Sequence, residues 1–165
     1  MPESSGLANA SERNRDAEIP LIEINNLSID EYIEFANGKT YGEILGLLVP
    51  ETLVDGKGTW EFAETAKHDL FKMLECCRAE LEGMRAVGQF PAPHYFERAA
   101  ILFRKQKEPA KEVEIIELYW RAIDEVMAKN TQLNERQGSA LKQRFEIRHS
   151  KAKQLREKQS RKVSL

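Results

Sequence analysis

The stretch FERAAILFRKQKEPAKEVEIIELYW, residues 96–120, decides the fold. Apolar residues recur at steps of three and four on both sides of a charged turn. Phe96, Ala99, Ala100, Leu102 and Phe103 precede it, and Val113, Ile115, Ile116, Tyr119 and Trp120 follow it. Such steps place side chains on one face of an α-helix, so the stretch predicts two helices joined head to tail. The run RKQKE closes the first, and Pro109 suits the first position of the second because its missing N–H would be unpaired there anyway. The pair spans about 94–107 and 110–129.

Upstream, Trp60, Ala63, Lys67, Leu70, Phe71, Leu74, Cys77, Leu81 and Met84 keep the same steps, which predicts one long helix over 60–87 ended by Gly88 and the prolines of GQFPAP. Two S/T-x-x-E capping boxes, SIDE at 28–31 and TYGE at 40–43, open short helices over 29–36 and 41–48. Downstream, Leu141, Phe145, Ala152 and Leu155 predict a last helix over 140–158. Residues 1–18 lack an apolar stripe and read as a tail. Ile19–Ile24 could pack as an extended strap, and 161–165 form a second tail. The expectation is therefore an all-α fold, a single domain over 19–160 with five or six helices. With 165 residues the chain suffices for one core.

The hairpin resembles a tetratricopeptide repeat unit, over about residues 92–128. Phe96 stands at the pattern's Trp, Ala99 and Ala100 at its Leu-Gly pair, Phe103 at its Tyr and Ile116 at its later aromatic position. Glu112 stands where the family prefers Ala, and Asp124 where its closing Pro would fall. Shifting the pattern by one repeat length in either direction finds no second good unit, so the hairpin must lean on its neighbours rather than on copies of itself. The resemblance implies an interaction or adaptor module, without enzymatic activity, that binds a protein or peptide partner. The first helix of such a pair lines the groove, which here would present Tyr95, Arg98, Leu102 and Lys105. Arg98 and Lys105, two turns apart, would receive an acidic segment or a carboxylate terminus.

Charge is unevenly distributed. Residues 131–165 hold ten Lys or Arg against three Glu, a surplus of seven, whereas the whole chain carries −2, so the first 130 residues carry −9. A basic end can pack on the acidic body or bind nucleic acid. Arg144, Arg148, Lys151 and Arg156 are the candidate nucleic-acid contacts, and a regulatory role through this helix is the alternative function. Neither a helix-turn-helix nor any other docking motif accompanies them.

No catalytic, cofactor or metal set is visible. His68, His94 and His149 stand in no ligand spacing, no phosphate-cradling glycine loop occurs, and Cys76 and Cys77 are adjacent, pointing about 100° apart on a helix. Those cysteines read as reduced. With no leader pattern and no long apolar run, the expectation is a cytoplasmic protein with no membrane partner, self-association being left open.

Overall fold

The computed structural model describes Ser28, residues 37–129 and residues 132–164. Its packing divides the chain into Met1–Asn37 and Gly38–Leu165, and the second unit holds the helices described below. The expected tail over 1–18, strap over 19–24 and helix over 29–36 lie outside the described residues. Among those described, all regular structure is helical: α1 (Tyr41–Leu48), α2 (Leu70–Val87), α3 (Pro93–Lys105), α4 (Pro109–Lys129) and α5 (Gln132–Val163). Short 3-10 turns occupy Pro50–Thr52 and Thr59–Phe62.

Local chemistry accounts for the helix starts and stops. Thr40 Oγ1 accepts the amide of Glu43 while the Glu43 carboxylate accepts the amide of Thr40, closing the capping box of α1. Pro50 prevents its continuation. Between α1 and α2 the chain makes a tight turn at Asp55 and Gly56, both with positive φ, closed by reciprocal bonds between Val54 and Lys57. Arg78 of α2 holds this loop by donating to the carbonyls of Glu51 and Leu53.

Three boundaries differ clearly from expectation, one of them the end of α5, which runs to Val163 instead of 158 and takes in most of the tail expected over 161–165. The helix predicted over 60–87 starts at Leu70, after the 3-10 turn at Thr59–Phe62 and further turns through residue 68. Asp69 is the reason: its carboxylate caps the Lys72 amide at 3.0 Å, fixing an N-terminus that the apolar steps ran through. At the other end, α5 starts at Gln132 rather than 140 and runs through Gly138. A Cβ at Gly138 would overlap Met127 and crowd Ile123, so glycine permits close approach of α4 and α5.

The last four helices follow one another in an antiparallel series, with α5 lying along α4 and also touching α3. Their apolar faces meet in one core containing Met73, Cys76 and Cys77 of α2, Phe96, Ala99 and Ala100 of α3, Ile116, Tyr119 and Ile123 of α4, and Phe145 of α5. At its centre the Tyr119 ring lies 4.7 Å from Phe96 and 4.9 Å from Phe145, binding three helices through one aromatic row. Tyr119 keeps its hydroxyl satisfied by donating to the Pro91 carbonyl at 3.0 Å. Trp120 is half-buried instead, donating to the Lys142 carbonyl and packing on His149.

Candidate functional site: a cationic groove at the hairpin turn

The charged turn between α3 and α4 is built tightly. Lys107 adopts a left-handed conformation, φ 60°, and the amide of Glu108 returns to the Phe103 carbonyl at 2.9 Å. Pro109 then opens α4. The far end of α5 crosses this turn, and Gln159 donates to the Lys107 carbonyl at 3.0 Å. Antiparallel pairing of α4 with α5 brings the most basic part of the chain to the one place where the hairpin itself is basic.

Beneath the turn lies a buried ion cluster. Glu112 is fully buried, and its two oxygens accept from Arg104 Nε at 2.8 Å and Arg148 Nη1 at 3.1 Å. Arg104 donates a further bond to the Arg148 carbonyl, so one carboxylate ties α3, α4 and α5 together. A buried carboxylate is tolerated only with such partners.

Above this cluster a groove of about 350 Å³ is lined by Arg104, Lys107, Pro109, Leu155, Lys158, Gln159 and Lys162. Four cations surround an apolar floor of Pro109, Leu155 and the lysine stems, and the lining contains no carboxylate. Arg104 is committed to the buried cluster, whereas Lys107 is exposed.

The residues predicted to line a partner groove are not brought together on a surface. Tyr95 and Leu102 are buried in the core, 5% and 7% exposed. Arg98 is half-buried and donates through Nε and Nη2 to the Lys67 carbonyl, which pins the turns after Phe62 across this side of α3. His94 contacts the Ala63 carbonyl in the same way. The segment that the sequence assigned to a helix thus covers the expected groove, and of the four residues only Lys105 is exposed.

The candidate nucleic-acid contacts divide similarly. Arg144 pairs with Glu97 at 2.6 Å and Arg148 with Glu112, so the first half of α5 is matched to acidic residues of the body. Lys142 joins Asp124 in the same pattern. Lys151 is exposed and Arg156 half-buried. The groove residues Leu155, Lys158 and Lys162 of α5 follow a three-four spacing that puts them on one face, which is the signal the sequence holds for the groove.

Among the described residues no three or more His, Cys, Asp or Glu are grouped to hold a metal ion, and no helix is long and apolar enough to cross a membrane. Compared with known proteins, the chain matches no family model, no curated protein and no solved structure.

Proposed function

We propose that the protein is a cytoplasmic, non-enzymatic binding module whose repeat-like hairpin, through its turn and the end of α5, docks an acidic, partly apolar segment of a partner protein. The observation that carries this reading is the groove: four cations around an apolar floor, without a carboxylate in the lining. Carboxylates of an acidic segment would meet Lys107, Lys158 and Lys162, while its apolar side chains would cover Leu155 and Pro109. Charge complementarity of this kind speeds encounter and fixes orientation, and burial of the apolar floor adds affinity. Free, buried Cys76 and Cys77 suit a reducing compartment.

Nucleic acid is the competing occupant, favoured by the basic face from Lys151 to Lys162. Two features weigh against it: the groove has no aromatic platform for bases, and its one amide side chain, Gln159, is engaged with Lys107. The test is fluorescence anisotropy with three labelled probes: an amphipathic Glu-Leu peptide, polyglutamate and a DNA duplex. Binding of the Glu-Leu peptide above polyglutamate and DNA is expected. Lys107→Glu with Lys158→Glu should weaken it about tenfold or more, whereas Arg121→Glu with Lys153→Glu, an equal change of net charge elsewhere, should leave it nearly intact. Tighter binding of the duplex with steep salt dependence would replace this reading with the nucleic-acid one. Equal losses in both variants would reduce it to nonspecific attraction.

A further inference from the structure

A second cavity, at the opposite end of α3, has different chemistry. About 180 Å³ in volume, it is bounded by α1, the 3-10 turn at Thr59–Phe62, α2 and the loop after Val87. Trp60, Phe90, Thr59, Glu80 and Met84 are among the residues that line it. The volume is below the roughly 300 Å³ at which sites for drug-sized ligands begin, so it fits a compact headgroup rather than a whole cofactor.

Two features point to the sign and shape of that group. Glu80 is half-buried, and its carboxylate is aimed by two bonds: the Thr59 hydroxyl donates to one oxygen at 2.7 Å and the Ala92 amide to the other at 3.0 Å. These bonds orient the carboxylate but supply no countercharge. No described cation forms an ion pair with it, although many of the other carboxylates around the fold have one. Trp60 meanwhile remains 51% exposed on the wall of the same cavity. The backbones of Gly42 and Gly58 both lie close against the ring, since a Cβ at either would overlap Cζ3 and Cη2 of the indole. An indole packed between close backbones and left half uncovered offers aromatic surface to a ligand.

We infer that this cavity binds an organic cation, an alkylated ammonium or guanidinium group, held over the Trp60 ring with Glu80 as its counter-ion. A quaternary or methylated ammonium is weakly hydrated and is drawn to the negative face of an indole. The nearby carboxylate completes the charge balance. Such a headgroup reaches the cavity either on a free small molecule or on a modified side chain of a partner, and the two sources share this chemistry. The inference is independent of the groove at the hairpin turn, which shares no lining residue with the cavity.

The test is titration of the full chain with choline, with its uncharged isostere 3,3-dimethylbutanol, with arginine methyl ester and with a peptide carrying trimethyl-lysine. The readout is the Trp60 indole N–H resonance, with Trp120 as internal reference. Saturable shifts at Trp60 with at least one cation, absent with the uncharged isostere, are expected. Glu80→Gln, which keeps an acceptor for Thr59 or Ala92, should weaken binding about tenfold or more. Trp60→Leu, followed through the Phe90 resonances, should do the same while leaving the Glu80 side intact. Tighter binding of the peptide than of choline would assign a partner's side chain, and the reverse a free small molecule. Equal shifts with the isostere, unchanged affinity in Glu80→Gln, or no saturable shift with any cation would overturn the inference.

Discussion

Glu112 shows how one residue can organise three helices and still look ordinary in the sequence. It stands among Lys111, Glu114 and Glu117, where exposed ion pairs within one helix are the natural expectation. Its actual partners lie eight residues before it and 36 after it, and the latter distance leaves no trace in local periodicity. Removing the carboxylate alone strands two arginine side chains that are each about 70% buried, so Glu112→Ala should cost ~3–5 kcal/mol, read from urea unfolding. Replacing the three together, Arg104→Met, Glu112→Leu and Arg148→Met, should be close to neutral or stabilising, because desolvating the ions offsets much of their attraction. A single-site loss below ~1 kcal/mol would show that the cluster is solvated.

At the scale of elements, the hairpin was legible and its surroundings were not. The apolar steps of α3 and α4 coincide with their buried faces, and Ala99 and Ala100 are fully buried within them. Periodicity failed where two local signals conflicted. Before Asp69 the apolar steps continue but the capping carboxylate resets the helix, and the resulting turns cover the face of α3 that had been assigned to a partner. In α5 the apolar stripe begins only at Leu141, so periodicity misses the first turns of the helix, where Gly138 answers a neighbour in space. Gly138→Leu tests that account. Any gain in helix propensity, ~1 kcal/mol, should be exceeded by overpacking against Met127 and Ile123, lowering stability by ~1–3 kcal/mol in thermal unfolding. Higher stability would mean that α4 and α5 have room to separate.

For the whole molecule, the core contains several groups whose charged forms it excludes. Burial pushes the Cys76 thiol up from 9.0 to about 11, and pushes Cys77, Tyr95 and Tyr119 above their ordinary values as well. In the unfolded chain these groups lose protons at lower pH than in the native state. The stability linked to them is therefore fully present below about pH 9 and is lost as pH rises through the native values, because the unfolded state then binds fewer protons. Urea unfolding at a series of alkaline pH values should show a steady decline starting near pH 9, with Cys76→Ser with Cys77→Ala flattening its first part. A midpoint constant to pH 11 would place the thiols in contact with water.

The buried cluster beneath the hairpin turn also constrains how the sequence can diverge. Each single step away from Arg104, Glu112 or Arg148 crosses a deep loss, while the triple change lies on nearly level ground beyond it. Lineages descending from this chain should therefore keep all three residues or replace all three, with the half-changed combinations missing. That makes the cluster an inherited lock, retained because it cannot be dismantled one residue at a time.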